Sequence, residues 1–78
     1  MKAFITGITG FVGSHLAEYL LSNHPNVEVQ GLIRWRSPKE NISSILDKIT
    51  LWYGDLRDSK SMLIVISEAK PDIIFHLA

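Results

Sequence analysis

Short apolar runs alternate with amphipathic stretches along the chain, and polar breaks rich in glycine or proline separate them. Lys2-Ala-Phe-Ile-Thr6 is an apolar run closed by glycine and predicts a buried strand. From Phe11 to Asn23 the residues Val12, Leu16, Tyr19 and Leu20 recur at three- and four-residue steps, predicting a helix with that set facing inward. Pro25 ends it, because proline cannot continue a helix and disfavours helical geometry at His24. Val27-Glu-Val-Gln-Gly-Leu-Ile33 alternates and then turns apolar, as a second strand, with the basic Arg34-Trp35-Arg36 behind it. Ser37-Pro38-Lys39-Glu40 has the form of a capping box with proline at the first helical position. Ile42, Ile45, Leu46 and Ile49 then make one apolar stripe on a short helix. Thr50-Leu-Trp-Tyr53 predicts a third strand, closed by Gly54-Asp55. Asp58 suits a helix N-cap, with Met62, Leu63, Val65, Ile66 and Ala69 on the buried side of the helix that follows. Lys70-Pro71-Asp72 breaks that helix, and Ile73-Ile-Phe-His-Leu77 starts a fourth strand, on which His76 is expected to be packed in the core.

Strand and helix thus alternate throughout, which predicts an α/β fold: a parallel, doubly wound sheet with right-handed crossovers and helices on both faces. In such a sheet the fourth strand lies beside the first, and its free edge would be apolar and prone to association. Residues 1–78 form at most one small domain. Eight Lys and Arg balance eight Asp and Glu, so no net field favours nucleic acid or an anionic membrane. Trp35, Trp52 and Tyr53 lack the regular basic interleaving of a nucleic-acid surface and are expected to pack. The chain has no cysteine, which excludes disulfides and thiolate zinc sites. It shows neither the charged start and cleavage site of a secretory leader nor an apolar run of the ~18 residues a membrane span needs. A soluble, cytoplasmic protein is the expectation.

The chemistry-bearing feature is Gly7-Ile-Thr-Gly10-Phe-Val-Gly13, set between the first strand and the first helix. Gly7 lets the chain leave the strand in a tight turn. Gly10 lets backbone N–H groups approach a pyrophosphate, and Gly13 lets the helix lie close. The unpaired amides and positive end of that helix then bind the phosphates, so the turn predicts a dinucleotide site. A ribose 2′-hydroxyl is commonly read by an acid at the end of the second strand, and alignment puts Ile33 there, with Arg34 and Arg36 following. An apolar residue leaves that hydroxyl without an acceptor, whereas a guanidinium grips a 2′-phosphate through two parallel bonds. NADP is therefore expected over NAD.

The spacing Thr6-Gly-Ile-Thr-Gly-Phe-Val-Gly13 resembles the opening of the extended short-chain dehydrogenase/reductase family. Gly54-Asp-Leu-Arg-Asp58, Lys70-Pro-Asp72 and His76-Leu-Ala78 agree with it at matching intervals, so the resemblance spans the chain. It implies the N-terminal half of a Rossmann domain over 1–78, with the catalytic and substrate-binding part absent. It also implies cofactor contacts from Gly7, Thr9, Gly10, Phe11, Val12 and Gly13, an adenine contact from Asp55 and Leu56, and contacts near the nicotinamide ribose from Leu77 and Ala78. Val29-Gln-Gly-Leu-Ile-Arg34 with Arg36-Ser37 looks most like the members acting on GDP-mannose and its 4-keto-6-deoxy derivative, dehydratases and reductases that use NADP(H). The dehydratases oxidise the sugar at C4, eliminate water across C5 and C6 and return hydride to C6; the reductases deliver hydride to the C4 ketone. Such enzymes act as homo-oligomers on GDP-sugars. Their Tyr-x-x-x-Lys pair is not found here: Tyr19 is followed four residues on by Asn23, and Tyr53 by Arg57. No catalytic residue is assigned, and the chain alone is expected to be inactive. An NAD-dependent nucleotide-sugar 4-epimerase, a non-catalytic dinucleotide sensor and a structural domain with a vestigial turn remain as alternatives.

Overall fold

A computed structural model describes all 78 residues, Met1–Ala78. The elements are β1 (Lys2–Thr6), α1 (Phe11–Asn23), β2 (Glu28–Ile33), a 3₁₀ segment (Glu40–Lys48), β3 (Thr50–Tyr53), α2 (Ser59–Ala69) and β4 (Ile73–His76). The four strands form one sheet in the order β3-β2-β1-β4, every pair parallel. The register sets Thr6 against Leu32 and His76, and Ile33 against Tyr53, so all four strands end along one rim. Loops that leave this rim are where open α/β sheets hold ligands.

The pleat divides the core in two. Ala3, Ile5 and Val29 face α1 and the 3₁₀ segment, packing with Ile8, Ala17, Leu20, Ile42 and Ile45. Phe4 and Leu32 face the other way and pack with Val65 and Ala69 of α2. Gln30, buried on that second face, satisfies its carboxamide by donating to the Ala69 carbonyl and accepting from the Trp52 indole N–H. A buried amide without both partners would cost about 1–3 kcal/mol. No helix is long and apolar enough to cross a membrane. β4 is an edge strand with Ile73 and Ile74 exposed.

Three features depart from the periodicity reading. On α1 the buried face is Gly13, Ser14, Ala17 and Leu20, while Val12 and Tyr19 are exposed. Small residues win there because the helix lies close to the strand–turn junction: a Cβ on Gly13 would overlap the carbonyl carbon and oxygen of Gly7. Likewise Leu63 of α2 is exposed, since Val65 and Ala69 make the contact with the sheet. The expected capping box does not form. The segment after Pro38 is a 3₁₀ run starting at Glu40, with Lys39 before it and no side-chain cap. Ile42 and Ile45 are its buried residues and Leu46 is exposed, because a turn of three residues keeps only an i, i+3 pair on one line. On β2 a Cβ at Gly31 would run into the buried Ile8 side chain, a close approach that the alternation of the strand does not signal.

Asp58 does cap α2, accepting from the N–H groups of Lys60 and Ser61, and Lys70 closes that helix in the left-handed region at φ 47°. Two substitutions test this packing in urea unfolding. Gly13→Ala is expected to cost about 2–4 kcal/mol, a large part of a small domain's stability, because backbone must move to make room. Asp58→Ala should cost only about 1 kcal/mol. A Gly13→Ala protein as stable as the parent would contradict the close approach of α1 to Gly7.

Candidate functional site

The site begins where β1 ends. Gly7 has φ 76°, a conformation that side chains rarely tolerate, and its carbonyl accepts the Gly10 N–H at 3.0 Å. Gly10 is the N-cap of α1 and brings no side-chain cap, and the Ser14 N–H is the first to find an acceptor, the Gly10 carbonyl at 2.9 Å. The N–H groups of Phe11, Val12 and Gly13 are thus left without an acceptor in the chain, at the positive end of the helix. Asn41 of the 3₁₀ segment steadies the turn from outside, donating to the Thr9 carbonyl at 2.9 Å.

Packing explains two of the three glycines. Gly7 needs its positive φ, and Gly13 needs to touch Gly7. Gly10 needs neither: its backbone is extended, and a Cβ would meet only the Gly7 carbonyl oxygen, at 3.3 Å. An alanine there would need the Gly7 carbonyl to give by a few tenths of an ångström, a far smaller overlap than at Gly13.

Beside the turn an open cavity of about 370 Å³ is lined by Gly7, Thr9, Leu32, Arg34, Ser37, Asp55, Leu56, Arg57 and Ala78. The ends of all four strands contribute to it. Of the residues singled out from sequence, Gly7, Thr9, Arg34, Asp55, Leu56 and Ala78 meet here. Gly10, Phe11, Val12, Gly13, Arg36 and Leu77 are not in its wall. Phe11 and Val12 are exposed at the start of α1, and Arg36 borders an adjoining depression, with Trp35 and Pro38, that shares Arg34 and Ser37 with the cavity. Ser37 and Arg57 line the cavity without having been singled out. Ile33, aligned by sequence with the position of an acid, is 2% exposed and does not border the cavity. Alternation along β2 sends Leu32 and Arg34 to the cavity side, so Arg34 is the residue that stands at the strand's end.

Asp55 is held by Arg57. The Arg57 N–H and Nε donate to Oδ1 at 2.9 and 3.2 Å, and Nη2 donates to Oδ2 at 3.0 Å. These bonds, with Arg57's charge and a smaller contribution from Arg34, lower the Asp55 pKa from 3.8 to about 2, and the same bond and charge raise that of Arg57. Acid and base two residues apart across a tight turn are the sequence signal for such a pair.

At the other wall His76 is exposed rather than packed in the core, because β4 is an edge strand. Its Nδ1 lies 2.8 Å from the buried Thr6 hydroxyl, which also accepts the Leu77 N–H at 3.1 Å. That links β4 to β1 and brings Leu77 and Ala78 against Gly7. Trp35 is 80% exposed and not a packing residue; its ring leans on Tyr53 with centroids 5.1 Å apart. Lys39 Nζ donates to the Tyr53 hydroxyl at 3.1 Å, a tyrosine–lysine contact between a loop and the end of β3, outside the cavity wall. No cluster of His, Cys, Asp and Glu could hold a metal.

Comparison with known proteins gives the following. Residues 4–78 match the family model for GDP-mannose 4,6 dehydratase. A GDP-mannose 4,6-dehydratase of Sordaria araneosa is 41% identical over 99% of this chain, and the chain spans 14% of that relative's length. Among solved structures, the Bordetella bronchiseptica enzyme WbmH in complex with NAD+ matches with TM-score 0.79 and 32% identity, covering 99% of this chain and 25% of its own. The leucoanthocyanidin reductase–NADPH complex of Vitis vinifera matches with TM-score 0.82 and 25% identity, covering 100% of this chain and 27% of its own.

The Asp55–Arg57 pair has a measurable signature. Since Asp55 titrates below its ordinary value, the pair stabilises the fold above about pH 4, and that contribution is lost as pH falls through about 2. Carboxylate NMR should show Asp55 titrating near 2, and Arg57→Ala should return it towards 3.8. An unchanged midpoint in the variant would break the link.

Proposed function

Because the chain belongs to the GDP-mannose 4,6 dehydratase family, we propose that residues 1–78 are the NADP(H)-binding part of a nucleotide-sugar dehydratase or reductase. One observation carries this reading: a single cavity is shared by the glycine turn, Arg34, Asp55 with Leu56, and Ala78. The free amides of Phe11, Val12 and Gly13 suit a pyrophosphate, and the bare Gly10 gives it room. Arg34, beside the ionised Asp55 and with no carboxylate partner of its own, suits a 2′-phosphate, with the Ser37 hydroxyl at the same wall. Asp55 suits the amino group of adenine and Leu56 its face. The backbone of Leu77 and Ala78, held against Gly7, suits the ribose on the nicotinamide side.

The bound dinucleotide would supply hydride exchange at a sugar carbon. The chain's own residues bind and orient it, and none is assigned to the sugar or to proton transfer. GDP-mannose or its 4-keto-6-deoxy derivative as substrate, a homo-oligomer, and a cytoplasmic location belong to the same reading and rest on the resemblance and composition. NAD is the alternative cofactor; the solved relatives above are described with NAD+ in one case and NADPH in the other.

Titration with each dinucleotide tests the reading. NADP is expected to bind more tightly than NAD, and Arg34→Ala should cost NADP about tenfold or more while leaving NAD nearly unchanged, as for a lost charge-assisted bond. Gly10→Ala should weaken both dinucleotides with little loss of stability, in contrast to Gly13→Ala. Equal affinity for NAD and NADP would overturn the 2′-phosphate role of Arg34. Residues 1–78 alone should not turn over GDP-mannose, and measurable turnover would refute the absence of a catalytic residue.

A further inference from the structure

An ionised carboxylate offers about four acceptor sites, two on each oxygen. In Asp55 three are occupied, all by Arg57: the backbone N–H and Nε on Oδ1, and Nη2 on Oδ2. The Asp55 carbonyl also accepts the Asp58 N–H at 2.9 Å, which closes the turn that sets Arg57 over the carboxylate. Both side chains line the cavity, so the remaining site on Oδ2 is the one left for a ligand. Arg57 itself is largely exposed and supports no other element, its only carboxylate contact being Asp55. Its position serves Asp55 and little else in the fold.

We propose that Arg57 is a positioning residue for base recognition, which leaves Asp55 one acceptor for the amino group of adenine and none for the second donor of guanine. The inference rests on the dinucleotide reading of the cavity. Adenine presents a single exocyclic amino group, for which one lone pair suffices. Guanine presents a ring N–H beside its amino group, and a carboxylate receives that pair only with both oxygens free. Oδ1 has no free site while Arg57 is in place. The distinction matters for a protein whose proposed substrate carries guanine and whose proposed cofactor carries adenine, because both arrive as nucleoside diphosphates. The clamp keeps the substrate's base out of the cofactor's site. It also holds the carboxylate in one orientation, so the remaining acceptor is already aimed before the ligand arrives. Lysine would not replace arginine here, because a single ammonium lacks the planar fork that spans two oxygens.

The test compares NADP with its hypoxanthine and guanine counterparts by direct binding to the protein and to its Arg57→Ala, Arg57→Lys and Asp55→Asn variants. Hypoxanthine carries an oxygen where adenine carries its amino group, so it cannot donate to Asp55 from that position. The parent should prefer NADP to the hypoxanthine form by about tenfold, the worth of one charge-assisted hydrogen bond. Arg57→Ala should weaken NADP severalfold, leave the hypoxanthine form unchanged and improve the guanine form relative to both. Arg57→Lys should behave as Arg57→Ala, and Asp55→Asn should abolish the preference. A general loss of structure would weaken all three dinucleotides together, and that result would overturn the proposal, as would an Arg57→Ala protein with the parent's base preference. If Arg57 instead grips the 2′-phosphate, Arg57→Ala will weaken NADP and its hypoxanthine counterpart alike and spare NAD, which also refutes it. A parent that binds none of these dinucleotides fails at an earlier step: it overturns the reading of the cavity and takes the role of Arg57 with it.

Discussion

At Gly7 the chain leaves β1 with φ 76°, and three stretches of backbone come into contact around that residue. The start of α1 arrives through Gly13, the end of β4 through Leu77 and Ala78, and the Gly10 N–H returns to the Gly7 carbonyl. A side chain at either Gly7 or Gly13 would push these apart, because what it would strike is backbone and not a movable side chain. The crossing fixes where the first helix points its free amides. It also fixes how near the fourth strand's end comes to the turn, with the Thr6 hydroxyl tying His76 and Leu77 alongside. The cavity is the space left between this crossing and the loops that leave β2 and β3.

Much of that architecture is legible in the sequence because it depends on local signals. The apolar runs give β1 and β3 to the residue, Pro25 stops α1 at Asn23, and Asp58 caps α2. What depends on tertiary approach is not legible. Large apolar residues draw the eye to Val12 and Tyr19 on α1, yet the helix buries Gly13, Ser14 and Ala17 because closeness to Gly7 excludes anything larger. Ser37-Pro38 has the composition of a helix start, but the chain there turns beside the cavity, and the regular segment begins only at Glu40. His76 follows the apolar run of β4 and reads as buried. The edge position of β4, expected from the alternation of elements, leaves it exposed all the same.

The site divides in the same way, and the division separates what the fold demands from what a ligand would demand. Gly7 and Gly13 are explained by backbone geometry alone, so their presence says little about binding. Gly10 is required neither by its φ nor by a severe overlap with its neighbours, so its exposed position is the one on which the proposed ligand bears most. On β2 the buried Ile33 belongs to the core, whereas Arg34, one residue on, brings its charge to the cavity wall. Arg57 escapes a residue-by-residue reading because its chemistry lies in what it does to Asp55. A lone Asp after a strand reads as a turn residue or as an adenine acceptor with equal ease. Three hydrogen bonds from one arginine make it an acceptor of fixed direction and limited capacity, and only the folded turn shows them. Selectivity at such a site would then come from acceptors withheld as much as from those offered, since a base that cannot satisfy its second donor leaves it unpaired on binding.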